Sequence, residues 1–285
     1  MNAQEKRLKP NRCLVALLCG IAMAQCATAQ DFIKGGEDHV TFNLGGILNQ
    51  FSTTVRLNGS TGPGTPVDLE GHGLDNNLSS ILASGTWRWA DRHRSDFMYF
   101  RAKRSANKQY DRDIVIGDNT FQANADIDIE AKAEYLLLDY RYSFVKSEAW
   151  EFAGVLGVYA GRFNFDASGT LAVSGGGSGG GAGTTATSSS STTVPLPLIG
   201  VSADWYIEPR WKVSSMLEGM KAKIGDVDGH MVVFQLGTDY MITRNWGLGI
   251  SYLYSTLDVD VSKNSFNGKI DWSSNAILAY ATLKF

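Results

Sequence analysis

Residues 275–285, NAILAYATLKF, decide the fold. Counting back from the carboxyl end, Phe285, Leu283, Ala281, Ala279 and Ile277 fall on one face of an extended strand, and all are apolar. Lys284, Thr282 and Tyr280 fall on the other face. A period of two with an apolar outer face is the pattern of a strand whose outside meets lipid.

The same alternation runs back along the chain. Strands are predicted over 40–57, 78–90, from 93 onward, 126–144, 150–166, 196–206, 211–224, 230–241, 246–260 and into the carboxyl terminus. Ten strands result; the ambiguous facing of the third strand and of Ile114–Ile116 leaves eight or twelve open. In the second strand Ile81, Ala83, Gly85, Trp87 and Trp89 share one face, and Ser80, Ser84, Thr86 and Arg88 the other, with Leu82 among them. Its two Trp residues stand beside the short turn Asp91-Arg92, where an interfacial aromatic girdle belongs. Connections after odd strands are mostly long and rich in Gly or Asp, with 225–229 a tight turn, and those after even strands are short. This asymmetry predicts an all-β chain, a single transmembrane antiparallel up-and-down barrel with both ends on the periplasmic side. A soluble sandwich would also alternate, but it has no need for Trp and Tyr repeatedly beside the short turns.

Finer features are read from single residues. Gly45-Gly46 predicts a bulge or bend in the first strand. The alternation slips by one near Tyr135-Leu136, which predicts a second bulge. Pro195 and Pro197 are expected to keep the start of the sixth strand out of the ladder. Residues 168–193 are dominated by Gly, Ser and Thr and carry too little apolar surface to order themselves, so they read as a disordered extracellular loop.

Residues 1–29 read as a Sec-type signal peptide. Lys6, Arg7, Lys9 and Arg12 form the basic n-region, 13–24 an apolar h-region too short to cross a bilayer as a helix, and Ala27-Thr28-Ala29 a cleavage site. A lipoprotein reading through Cys26 is opposed by Gln25, where a small residue is needed. The mature chain, 30–285, is then expected to be one barrel domain. Cys13, Cys19 and Cys26 all lie in the leader, so the mature chain has no disulfide framework, thiolate metal site or Cys nucleophile. Of 26 basic and 29 acidic residues, four and one lie in the leader, leaving 22 against 28, a net of −6. Such a chain lacks the basic face that nucleic acid requires. No run of 18 apolar residues follows the leader, which excludes a helical membrane protein.

The inward faces carry a mixed set of charges: Arg88, Asp139, Arg141, Glu151, Asp204, Lys212, Glu218 and Asp239. Two readings follow. They form a paired network that fills a small barrel, or they line a narrow polar channel and set its selectivity. No cofactor or metal motif is found. The acidic tips lack calcium-loop spacing, and 175–183 is no phosphate loop, since no Lys-Ser/Thr follows it.

The closing strand, with Ile277, Ala279, Ala281, Leu283 and Phe285, resembles that of bacterial outer-membrane β-barrel proteins, and the whole pattern resembles the small OmpA-like and OmpW-like group. The resemblance implies an outer-membrane location, contact with lipid and lipopolysaccharide, and a terminal strand read by the barrel-assembly machinery. It implies a structural, surface-interaction or minor-permeability role, with a small-solute channel as the alternative. Oligomeric state is left open. Two triplets, Asp111-Arg112-Asp113 and Asp228-Gly229-His230, are similar to the paired D-x-D and D-x-H of the omptin proteases, in which a His oriented by an Asp activates water. D-x-D also occurs at 126/128, 226/228 and 258/260, so the pair has little weight, and a non-enzymatic barrel is the expectation.

Overall fold

The computed structural model describes residues 38–60, 62–71, 77–109, 113–116, 118–121, 126–170, 185–263 and 266–285. The signal peptide proposed for 1–29 lies outside the described residues. The strands are β1 (Val40–Leu57), β2 (Val67–Asp68), β3 (Asn77–Ala90), β4 (His93–Gln109), β5 (Ile114–Ile116), β6 (Asn119–Phe121), β7 (Asp126–Lys146), β8 (Trp150–Thr170), β9 (Thr185–Glu208), β10 (Trp211–Ile224), β11 (Val227–Met241), β12 (Trp246–Lys263) and β13 (Phe266–Lys284). Among the described residues no helix is long and apolar enough to cross a membrane.

Ten strands close a ring in the order β1, β3, β4, β7, β8, β9, β10, β11, β12, β13, each antiparallel to the next. The ring is sealed by β13 on β1, in register from Thr41↔Lys284 to Leu57↔Gly268. At the seam the amides of His39 and Val40 donate to the Phe285 carbonyl at 3.0 and 3.1 Å, and the Phe285 amide donates to Val40 at 2.9 Å. Closure of this kind leaves no unpaired edge in the lipid. The ladder passes Gly45 and Gly46 without a register shift. Here glycine serves close approach instead of the expected bulge, since a Cβ on Gly45 would lie 2.1 Å from the Ala279 carbonyl oxygen.

Side chains alternate about the wall as the pleat requires. Ile277, Leu283 and Phe285 are exposed, and Leu278, Thr282 and Lys284 are buried. The outward apolar run is about nine residues long in β7 and in β13, which suits a tilted transmembrane strand. Trp89, Trp150, Trp205 and Trp211 stand outward beside the short turns. Trp150 and Trp205 stack at 5.1 Å between ring centroids.

The bulge expected at Tyr135-Leu136 is absent, because β7 keeps one register with β4 and with β8 through this point. The register shift lies lower, between Ser143 and Val145. Above that shift the odd-numbered residues of β7 keep one inward face: Ile127, Ile129, Tyr135, Leu137, Asp139 and Ser143 are buried, and only past it does Val145 turn outward. What changes near Glu134 is the surroundings. Below it the outside is lipid and the inside polar; above it the outside is water, with Glu130 and Glu134 in exposed ion pairs, and the inside is apolar. This inversion of polarity on an unbroken strand imitates a phase slip.

The ring also opens above the membrane level. Pairing of β9 with β10 ends at Ile199↔Gly219, and pairing of β3 with β4 ends at Leu82↔Phe100. Beyond those points β4, β7, β8 and β9 continue as one sheet, up to Gln109↔Asp126 and Thr170↔Thr185. β10 to β13 and β1, with β2 on its edge, continue as another. The two sheets meet where Tyr135 stacks on Trp272 at 5.1 Å; within their own sheets Tyr135 stacks on Phe100 at 4.5 Å and Trp272 meets Phe51 at 5.9 Å.

Two further expectations are corrected here. Residues 168–170 and 185–193, read as part of a disordered loop, are paired strand; 171–184 lie outside the described residues. A ladder is made by backbone groups, and Thr suits an extended chain, so a Ser/Thr segment pairs well when a neighbouring strand templates it. Pro195 and Pro197 do not end the strand: they pair opposite Ala160 and Val158 of β8. They are tolerated because, among the described residues, β9 has no second partner before Ile199, as on a sheet edge.

Candidate functional site

At membrane level the interior is a chain of buried ion pairs. Glu151, on β8, is 1% exposed and receives both nitrogens of Arg88 at 2.8 to 3.0 Å. It also accepts from the Ser143 hydroxyl and from Tyr206 Oη at 3.4 Å. Arg94 lies 2.7 Å from Asp204 and 3.6 Å from Glu151. Lys212 lies 3.0 Å from Asp239, whose other oxygen accepts from Tyr280 Oη at 2.8 Å. Arg141 Nε is 2.5 Å from Asp96, and Arg141 Nη2 is 3.2 Å from the Met216 sulfur. The network joins residues of β3, β4, β7, β8, β9, β10, β11 and β13 around a polar cavity of about 110 Å³.

All eight residues proposed from sequence for this network face inward. Two of them, Asp139 and Glu218, are buried without a cationic partner within ion-pair distance among the described residues. Sequence reasoning missed Arg94 and Asp96. Both belong to β4, where the run Phe97-Met98-Tyr99-Phe100 hides the alternation. Arg94, Asp96, Met98 and Phe100 share one parity, and counting that parity through the run from either charged residue would have exposed it.

Above the network the interior turns apolar. Ile114, Ile116 and Phe121 of the β5–β6 hairpin are at most 2% exposed and belong to one buried apolar cluster with Val67 and Leu69. The hairpin is tied down by Asp118, which accepts from the Ser60 amide at 2.6 Å and hydroxyl at 2.7 Å. Those two bonds hold the Asp118 carboxyl below its usual range. Glu70 crosses the gap between β1 and β4: it accepts from the Thr53 amide at 2.6 Å and pairs with Arg104, whose Nη2 reaches Thr53 at 2.9 Å. The interior thus has two layers, ion pairs around the cavity below and a largely apolar core above.

The omptin-like triplets take a different place. Asp228 and His230 are exposed on the outer wall, alternating with buried Val227, Gly229 and Met231. His230 stands opposite Asp258 in the ladder. Asp258 lies 2.8 Å from Lys269, which lies 3.3 Å from Asp271. Asp113 is exposed at the start of the hairpin, and Asp111 lies outside the described residues. The face formed by Ile277, Ala279, Ala281, Leu283 and Phe285 is exposed on the outer wall.

At the periplasmic mouth Asp38 accepts from the Thr41 hydroxyl at 3.0 Å and lies 3.3 Å from Lys284, linking the approach to β1 with β13. Burial pushes the Asp38 carboxyl up, but Lys284 and Lys212 outweigh it and bring the pKa from 3.8 down to about 2. A depressed pKa stabilises the fold fully above the unfolded value and is lost as pH falls through the folded one. The shift corresponds to about 2 kcal/mol. Wild type is therefore expected to lose about that much more stability than Asp38→Asn between pH 5 and pH 2, measured by urea unfolding in detergent. Equal losses would show that the seam does not depend on this carboxylate.

No protein-family model and no curated protein sequence matches the chain. Among solved structures, the outer-membrane protease OmpT of Escherichia coli is similar with a TM-score of 0.56 and 10% identity, over 90% of this chain and 100% of that one. Ail, the attachment invasion locus protein of Yersinia pestis, is similar with a TM-score of 0.33 and 10% identity, over 87% and 99%. The outer-membrane protein OprG of Pseudomonas aeruginosa has a TM-score of 0.33 and 13% identity, over 87% and 97%. The fold is that of the bacterial outer-membrane β-barrels.

Proposed function

We propose that this protein is a filled outer-membrane barrel that acts at its external face and does not conduct. The observation that carries this reading is the two-layered interior. Ion pairs crowd the membrane-level interior around a cavity of about 110 Å³, and buried Ile114, Ile116 and Phe121 belong to the apolar layer above it. A conducting path needs continuous polar lining or a wettable constriction, and the upper layer, apolar apart from the Glu70–Arg104 pair, interrupts the first. What remains for function is the outer half, a two-sheet platform raised above the lipid. Lipid and lipopolysaccharide are its surroundings, and the apolar face ending at Phe285 serves the assembly machinery during insertion.

The protein reconstituted in a planar bilayer is expected to be silent. Steady, voltage-tolerant current steps from folded protein would overturn this reading and favour the solute channel. The omptin-like reading draws on the OmpT likeness, which is one of fold alone at 10% identity. It needs Asp228 and His230 to face a substrate, whereas both project from the outer wall. A non-enzymatic role is the reading supported here.

A further inference from the structure

The charges inside the membrane-level barrel do not balance. Among the described residues, and apart from the Asp38–Lys284 pair at the mouth, four basic side chains face this space and each is taken: Arg88 by Glu151, Arg94 by Asp204, Arg141 by Asp96 and Lys212 by Asp239. Two carboxylates are left over, Asp139 on β7 and Glu218 on β10, exposed by 7% and 1%. Among the described residues, Asp139 Oδ1 and both oxygens of Glu218 have no hydrogen-bond partner. Unpaired buried carboxylates are costly, and the cost is relieved only by protons or by a cation.

The wall between them is bare. Gly157 pairs with Asp139 and Gly200 pairs with Glu218. A Cβ on Gly157 would meet Asp139 Oδ1 at 2.5 Å and Glu218 Oε1 at 3.0 Å, and one on Gly200 would meet Glu218 Cγ at 2.7 Å. The two acidic groups therefore converge over a floor kept clear by glycine, beside the polar cavity that Asp139 also lines.

We propose that Asp139 and Glu218 hold a hydrated divalent cation inside the barrel. The charge left uncompensated is that of two carboxylates, which one divalent ion neutralises. Among the described residues no group of three metal-ligating side chains occurs, so the ion keeps most of its water. That is the habit of Mg²⁺, which dehydrates reluctantly and is held by one or two carboxylates. The cavity, with Asn43, Ser214 and Gln235 in its lining, gives such water polar partners.

The test is the unfolding midpoint of the purified protein in lipopolysaccharide-free detergent, with MgCl₂ against NaCl of equal ionic strength. Mg²⁺ is expected to raise the midpoint of wild type and of the outer-wall double variant Asp258→Asn/Asp271→Asn. It is expected to leave Asp139→Asn and Glu218→Gln unmoved, with affinity for Mn²⁺, read by its electron paramagnetic resonance, weaker by about tenfold or more. Gly157→Ala, which keeps both carboxylates and fills the floor, is expected to lose the response as well. No Mg²⁺ response in wild type, or an equal response in the interior variants, would overturn the proposal. The former would mean that protons neutralise the pair. Should either interior carboxylate variant fail to fold, the wild-type Mn²⁺ signal against that of Gly157→Ala decides alone.

Discussion

Glu151→Ala is expected to destabilise the barrel by about 3–5 kcal/mol, the cost of breaking a buried ion pair from one side. Glu151 is the hub of the periplasmic half of the network: it binds Arg88 through both oxygens, lies beside Arg94, and accepts from Ser143 and Tyr206. Its removal leaves the Arg88 guanidinium, on a residue 5% exposed, with no carboxylate. Urea unfolding in detergent measures the loss. The double variant Arg88→Met/Glu151→Leu separates the charge left behind from the worth of the pair. It is expected to recover most of the loss, because apolar side chains of similar volume replace buried pairs with little change in stability. Arg94 keeps Asp204 at 2.7 Å in that variant. A cost under about 1 kcal/mol for Glu151→Ala is what an exposed pair gives; it would mean that the interior is wet, and with it the channel reading would return. Conductance of Glu151→Ala is expected to stay silent, since the apolar layer above is untouched.

The lower half of this barrel was legible because lipid outside and charge inside give every strand strong contrast. Ile277 to Phe285, Ile81 to Trp89 and Ile199 to Trp205 each announce their facing residue by residue. The contrast fades where the wall leaves the membrane. There both the water side and the core side follow the soluble pattern, which is the reverse of the one below, so β7 seemed to slip at Tyr135 when only its surroundings changed. Pairing extent is not written in side-chain pattern at all. Thr185 to Thr193 joins the ladder through backbone groups, and its Ser and Thr side chains carry no sign of it. The charged interior was read as a set, but its pairing was not. Which carboxylate meets which guanidinium depends on register between strands far apart in sequence, as with Arg88 and Glu151, 63 positions apart. The hairpin was invisible for a related reason: Ile114, Ile116 and Phe121 make a segment too short to distinguish from an exposed turn until it is seen buried against the rest of the core.

Trp272→Ala tests the other half of the molecule and is expected to cost about 3–5 kcal/mol, as for other large aromatics removed from packed cores. Trp272 reaches from β13 across the barrel to Tyr135 of β7 and packs on Phe51 of β1, so it joins the two sheets above the membrane. It is 6% exposed, whereas Trp87, Trp89, Trp150, Trp205 and Trp211 all stand on the outer wall. Its indole Nε1 has no hydrogen-bond partner among the described residues. A buried N–H left without an acceptor costs about 1–3 kcal/mol. Trp272→Phe removes that penalty together with part of the packed area, and the two changes oppose each other. It is therefore expected to fall within about 1 kcal/mol of wild type, by the size of the opposing contributions. The contrast between the two substitutions is the informative quantity. A packed core gives a large loss for alanine and a small one for phenylalanine. A hydrated mouth gives small losses for both, since an indole in water supports no sheet, and its fluorescence would be quenched readily by acrylamide. The first pattern would make the outer half a rigid platform with fixed loop positions, the condition for a surface that recognises a partner. The second would remove the upper barrier from the barrel axis and leave the ion pairs as its only closure.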